Sequence, residues 1–337
     1  MQDELINWGI IGCGNIANVF AQGLNKLDNG KLLAIASKSQ ERASTFSSLY
    51  NVEKVYTDYH ALVNDPQIDA VYIATTHNFH FEHAKLCLEH GKHVLCEKPL
   101  AINVRQSKAL INLAKLNKLF LMEAVWTRFL PAILKLQEML EEKIIGEVLT
   151  LKADFSIYDD FNANHRLKNK SLAGGALLDL GIYPITLASI VFDEQPSCIK
   201  SSVVIGDTGV DDRSFYLFEY DGLAGGDKNN GKRAILSSSF SHHAPTEAVI
   251  SGTKGYIRIP DFLGAQELHV FLPNKEPRIF KYPFSEDENF TFEIDHAMDS
   301  IRSKQIESNI LPHAKTLNIM QTMDTLREQW GLTYDNE

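Results

Sequence analysis

Ile6-Asn7-Trp8-Gly9-Ile10-Ile11-Gly12-Cys13-Gly14-Asn15-Ile16-Ala17 is an apolar run that breaks into a glycine turn and then turns polar on one side. The run predicts a buried strand over Ile6–Ile11, and the following residues predict a helix from Asn15 to about Leu27. Between them, Gly12, Gly14 and Ala17 fit the G-x-G-x-x-A fingerprint of a dinucleotide-binding turn. The first glycine permits the tight turn and the second lets backbone approach a diphosphate. The small Ala17 allows helix and strand to pack closely. Amides at the helix start, including those of Asn15 and Ile16, would face the anion. The fingerprint is weak when met alone. Here a strand precedes it and a helix follows.

Working outward, Leu32–Ser37, Asp69–Thr75, His93–Cys96 and Leu119–Met122 also read as strands. Helical patterns at about 40–50, 80–90 and 104–117 separate them. Continuous apolar strands alternating with helices predict a doubly wound parallel sheet, a Rossmann-type α/β domain over residues 1–124. Beyond about residue 146 the texture changes. Val148–Ile157, Cys198–Ile205, Ser214–Tyr220, Arg233–Ser241, Glu247–Ser251, Gly255–Ile259 and Glu267–Leu272 read as strands, with one helix at Ala176–Val191. This predicts an α+β domain over residues 125–337, built on a large, mostly antiparallel, open-faced sheet. Its free face needs a cover, so a homodimer or tetramer formed through that sheet is expected. Gly222–Lys232 reads as a mobile hairpin tip. Helices at about Phe290–Ser303 and Pro312–Trp330 close the chain.

The 337 residues carry 43 acidic and 33 basic side chains, a formal net charge of -10 with no basic stripe. Nucleic acid and anionic membrane surfaces are therefore poor partners. The first residues lack the pattern of a signal peptide, and no apolar run is read as approaching the roughly 20 residues that cross a bilayer. Four scattered cysteines suggest neither a disulfide framework nor a zinc site. A cytoplasmic protein with reduced thiols is expected.

The end of the second strand selects the cofactor. An NAD site has Asp or Glu there for the ribose 2′-hydroxyl; this chain has Ser37-Lys38-Ser39, with Arg42 one turn later. A hydroxyl and cations suit a 2′-phosphate, so NADP is favoured, with NAD the alternative. Thr75, His77 and Asn78, after the third strand, are candidates for the nicotinamide side of the crevice. The spacing of His77, His80 and His83 invites a metal, but no cysteine or carboxylate set accompanies them, and none is expected.

Two further segments carry chemistry. Glu97-Lys98-Pro99 sits at the C-terminal end of a buried strand, beside the crevice where such sheets bind ligands. Gly174-Gly175-Ala176-Leu177-Leu178-Asp179-Leu180-Gly181-Ile182-Tyr183 opens a helix that puts Asp179 and Tyr183 on one face. With the stretches at 9–17 and 70–75, these segments resemble the glucose–fructose oxidoreductase/inositol dehydrogenase (Gfo/Idh/MocA) family over essentially the whole chain. Met122–Pro131 is similar to the subgroup of dihydrodiol and NADP-dependent xylose dehydrogenases. That subgroup also has tyrosine where most of the family has histidine after Asp-x-x-x.

The resemblance implies an NAD(P)-dependent dehydrogenase in which Lys98 and Tyr183 act together. The chemistry agrees: a phenol is a poor base near neutral pH unless an ammonium favours its phenolate. Tyr183 is then general base in oxidation and acid in reduction, Lys98 tunes it and holds the substrate hydroxyl, and Asp179 orients a second hydroxyl. The first two roles are open to exchange. Glu97 and His80 would lie near the cofactor. Trp126, with Phe155 and Phe262, would line the substrate pocket, with Arg128 beside it; Arg166 is placed to pair with a substrate or cofactor group. The substrate expected is a sugar or a cyclic vicinal diol. Rival readings are an NAD-dependent glycosidase of the same family and a non-catalytic nucleotide sensor.

Overall fold

The computed structural model describes residues 5–220, 231–335 and 337. Strands and helices alternate from β1 (Ile6–Ile11) through α1 (Asn15–Leu24), β2 (Gly30–Ala36), α2 (Gln40–Tyr50), β3 (Lys54–Tyr56), α3 (Tyr59–Val63), β4 (Ala70–Ile73), α4 (His77–Glu89), β5 (His93–Glu97) and α5 (Val104–Asn117) to β6 (Leu121–Ala124). The six strands are parallel in the order β3-β2-β1-β4-β5-β6. The direction of winding therefore reverses between β1 and β4, which opens a crevice at their C-terminal ends. One face of the sheet is sealed by an aromatic stack. Phe20 of α1 lies flat on Tyr72 at 4.0 Å between centroids and meets Trp8 edge-on at 5.3 Å. The other face packs Val71, Ile73 and Val94 against Ala84, Leu88 and Leu110.

This first unit comprises Met1–Trp126 together with Ser285–Leu317. The sequence reading put the whole of 125–337 in one domain, so the return of 285–317 is a difference. Its cause is complementary packing. After α6 (Pro131–Glu141) and the second unit's elements, α8 (Thr291–Arg302) lies along α1. Gly23 faces Ile294 and Phe290, Asn29 donates to Asp295 at 3.0 Å, and Lys26 pairs with Asp287 at 2.6 Å. The outer edge of β6 is also occupied, because Leu121 N donates to Ile306 O at 3.1 Å.

The second unit, Thr127–Phe284 with Asn318–Glu337, is built on eight strands: β7 (Val148–Ser156), β8 (Cys198–Ile205), β9 (Asp211–Tyr220), β10 (Lys232–Ser239), β11 (Ala248–Gly252), β12 (Gly255–Ile259), β13 (Glu267–Phe271) and β14 (Arg278–Lys281). Their order is β14-β13-β12-β11-β7-β10-β9-β8, antiparallel except for β7 beside β10. A π-helical turn, Leu177–Gly181, runs into α7 (Ile182–Phe192), which lies on β7 and β10. Leu151, Ala153, Ala234, Leu236, Tyr216 and Phe218 are buried. The alternate residues Phe215, Ile235, Tyr256 and Ile279 stand exposed on the opposite face. The hairpin tip expected at Gly222–Lys232 falls, except for Gly231 and Lys232, outside the described residues.

One expectation is corrected. Lys170–Phe192 spans 23 residues, and its most apolar window reaches a mean hydropathy of 1.7, long and apolar enough by length and composition to cross a bilayer. It is nevertheless a core element of the second unit, since 94% of its most apolar window is buried. α9 (His313–Trp330) begins in the first unit and ends in the second.

Candidate functional site

The turn after β1 is pinned to both neighbouring strands: Gly12 N donates to Ala36 O and Ala74 N to Ile11 O, each at 2.9 Å. Gly12 has φ +97°, and a Cβ there would stand 2.7 Å from the Ala74 carbonyl oxygen. At Gly14, by contrast, a Cβ would meet nothing within 4 Å. Gly14 and Asn15 are exposed at the N-terminus of α1, while Ile16 is half-buried and Ala17 buried. Strand crowding at Gly12 and open space at Gly14 are what a diphosphate over this helix end requires.

Ser37 and Lys38 follow β2 without a carboxylate. Ser37 Oγ accepts from Ser39 N at 3.2 Å, which leaves its O–H as a donor. Ser39 in turn caps α2 by accepting from Arg42 N. The Lys38 ammonium stands 5.6 Å from the Phe79 ring centroid and 5.9 Å from that of Tyr59, two cation–π contacts that fix its position. Phe79 stacks on His83, and Tyr59 meets the same imidazole edge-on. Burial, with His80 and Lys38 nearby, lowers His83 to about 4, so this ring is neutral near pH 7. Its Nδ1 lies 3.1 Å from Thr75 Oγ1. These residues fit the 2′-phosphate end of NADP. Sequence reading had Lys38 and Arg42 but missed Tyr59 and Phe79, which lie on two other helices.

Lys98 leaves β5 through a cis Lys98–Pro99 peptide. His80, fully buried, ties this turn to the one after β4: Nδ1 lies 2.7 Å from Pro99 O, and Nε2 lies 3.1 Å from Thr75 O. A neutral ring can donate to only one of these carbonyls at a time. The His77 and His80 rings meet edge-on at 5.7 Å, and Asn78 Oδ1 accepts from Thr76 Oγ1. Beneath the Lys98 turn sits a set of buried acids. Glu97 accepts from the Tyr72 hydroxyl through one oxygen and from Lys98 N, at 3.2 Å, through the other. Glu123 accepts from Leu100 N at 2.9 Å, and burial pushes its carboxyl up to about 7. Glu293 on α8 is fully buried, and neither oxygen has a hydrogen-bond partner among the described residues. Burial, then the nearby Glu97, hold its carboxyl well above the usual range.

A carboxyl raised in the folded state binds a proton the unfolded chain has released, so it withdraws stability as pH rises above its unfolded value near 4.5. Glu293→Met is therefore expected to stabilise the protein by roughly 1–3 kcal/mol at pH 8 and by less near pH 4.5. Denaturation curves at the two pH values check this; a gain that does not grow with pH contradicts it.

In the second unit, Asp179 lies in the π-helical turn and Tyr183 in the first turn of α7. Both Arg166 terminal nitrogens lie 3.4 Å from Asp179 Oδ1, so the arginine faces the acid expected to orient substrate. The Phe155 ring meets Tyr183 edge-on at 5.7 Å. Gly181 lets the turn settle onto the sheet: a Cβ there would stand 2.8 Å from the Tyr216 hydroxyl and 3.0 Å from Ser238 Oγ. Phe262 and Arg128 are buried. Trp126, in the first unit, stacks on Phe290 at 5.6 Å. Thus Arg166 meets Asp179 and Phe155 meets Tyr183 within one unit, while Lys98, Glu97 and Trp126 belong to the other.

A family model described as an oxidoreductase family with an NAD-binding Rossmann fold matches residues 6–125, and one described as the GFO/IDH/MocA C-terminal domain matches residues 133–258. Trans-1,2-dihydrobenzene-1,2-diol dehydrogenase of Xenopus tropicalis is 33% identical over 97% of this chain and 98% of its own length. The NADP(+) D-xylose 1-dehydrogenase of Hypocrea jecorina is 32% identical over 98% of this chain and 93% of its own. Among solved structures, a 3-ketoreductase from Actinomadura kijaniata, in complex with NADP and TDP-benzene, is 25% identical. It superposes with a TM-score of 0.84 over 96% of this chain and 98% of that one.

Proposed function

The chain belongs to the Gfo/Idh/MocA family of oxidoreductases, and on that footing we propose that it is an NADP-dependent dehydrogenase oxidising a secondary-alcohol or hemiacetal carbon of a sugar or cyclic vicinal diol. The family and its relatives make the chain a sugar- or diol-dehydrogenase-type enzyme with an NAD(P)-binding Rossmann domain. The observation that carries the choice of NADP is the Lys38 ammonium held by Phe79 and Tyr59 at the end of β2, where an NAD site would have a carboxylate.

Bound NADP supplies the hydride acceptor. The chain's own residues handle the proton: Tyr183 removes it from the reacting hydroxyl, Lys98 favours the phenolate and holds that hydroxyl, and Asp179, steadied by Arg166, orients a second one. The exposed apolar side chains on the outer face of the second unit's sheet support assembly of the enzyme as a homo-oligomer through that face.

D-xylose and trans-1,2-dihydrobenzene-1,2-diol are the first substrates to assay by NADPH absorbance. A glycosidase would instead hold its nucleotide and make no net NADPH, which separates that rival directly. Ser37→Asp places a carboxylate against the 2′-phosphate, and like charges at contact cost enough to move the NADP/NAD preference toward NAD by roughly tenfold or more. An unchanged ratio of kcat/KM values contradicts the cofactor assignment.

A further inference from the structure

Two side chains distant in sequence hold the start of the segment that carries Asp179 and Tyr183. The Asp211 carboxylate, fully buried at the first residue of β9, accepts from Leu177 N at 2.6 Å. The Tyr334 hydroxyl donates to the Gly174 carbonyl at 2.8 Å. Between these two bonds lies Gly175, with φ +120°, where a Cβ would stand 2.1 Å from Asp211 Oδ1. Only a glycine backbone brings the chain this close to the acid. Tyr334 is itself held down: the Arg327 guanidinium stacks over its ring at 5.0 Å and is ion-paired to Asp324 at 2.9 Å and to Glu337.

The π-helical turn needs such anchors. Its first amides have no partners within the helix, and a π turn is a less favourable backbone than the α-helix it leads into. The anchors fix the position from which Leu177–Gly181 sets out, six residues before Tyr183 and at the start of the turn that presents Asp179.

We propose that Asp211 and Tyr334 are positioning residues for Asp179 and Tyr183, so that the C-terminal residues after α9 form a latch that sets the geometry of the proton-transfer segment. The catalytic consequence rests on the proposed roles of Asp179 and Tyr183; the latch itself does not.

Tyr334→Phe keeps the ring beneath Arg327 and removes one hydrogen bond, while Asp211→Asn keeps an acceptor oxygen and removes a carboxyl that burial pushes up to about 7. Hydrogen exchange followed by mass spectrometry on the full chain is expected to be roughly five- to tenfold faster in residues 174–183 of each variant, with the sheet strands unchanged. Turnover of D-xylose or trans-1,2-dihydrobenzene-1,2-diol, whichever the parent oxidises, should fall roughly tenfold, because small displacements of catalytic groups are costly. NADPH binding, followed by fluorescence, should stay at the parent value. Unchanged exchange in 174–183 of Tyr334→Phe overturns the latch. Faster exchange with turnover within about twofold of the parent overturns its catalytic consequence. Tyr183→Phe and Lys98→Ala in the same assay separate the two levels: if both retain turnover, the proton-transfer reading fails whatever the latch does.

Discussion

Turnover by Tyr183→Phe and by Lys98→Ala is expected to fall by roughly 10²-fold or more, with NADP binding retained. The tyrosine change removes a single oxygen. Its ring keeps the edge contact with Phe155 and its place in the first turn of α7, so the loss falls on proton transfer and spares the fold. Lys98→Ala removes the ammonium while leaving the turn fastened, because His80 grips the Pro99 carbonyl and Glu97 accepts from the residue 98 amide, a backbone group that alanine also has. The groups assigned to the diphosphate and 2′-phosphate are other residues, so cofactor affinity should survive both changes. Steady-state kinetics paired with an NADPH fluorescence titration measure the two quantities separately. Near-parental kcat in both variants would refute the assignment of the proton-transfer pair.

Gly12→Ala should act in the opposite way, striking fold and cofactor together. Alanine at φ +97° is strained, and its methyl carbon would stand 2.7 Å from the Ala74 carbonyl oxygen, a backbone atom fixed by the Ala74 N to Ile11 O bond. Neither strand can give way without disturbing β1 or β4 at the crevice. A loss of about 2–4 kcal/mol is expected from backbone strain and overpacking combined. NADPH affinity should drop with it, since the same turn presents the open Gly14 and the α1 amides. Gly14→Ala is the matched control: a Cβ there meets nothing in the protein, so it should leave stability near the parent. Equal melting temperatures for the two variants would sink this reading of the turn.

Both outcomes depend on features of unequal legibility in the sequence. Most of the alternation of apolar strands and helices through β6 could be read directly, because those elements are long enough to show their period or are closed by a glycine turn. β3 and α3 could not: three and five residues carry too little pattern. β14 is an edge strand with three of its four residues exposed, so no buried face marks it. α6 is not among the expected helices, although Pro131 at its start and Ile133, Leu136 and Met139 on one face mark it in the sequence. At the site, Lys98 stood out because an unpaired ammonium does not suit a core, and Asp179 and Tyr183 through their four-residue spacing and the resemblance of their segment to the family. Tyr59, Phe79, Asp211 and Tyr334 did not stand out, since their significance lies in partners that only the folded chain supplies. The π-helical turn likewise depends on Gly181 meeting Tyr216 and Ser238 from other strands.

The return of Ser285–Leu317 to the first unit has a consequence for biosynthesis. Emerging from the ribosome, β1 to β6 have everything needed to wind their sheet except the cover for α1 and the partner for the edge of β6. Those surfaces stay bare while the entire second sheet is being translated. A nascent or excised 1–126 fragment would therefore expose an unpaired strand edge and an uncovered helix flank, both of which invite aggregation. The nucleotide-binding half is begun before the second sheet and completed only after it.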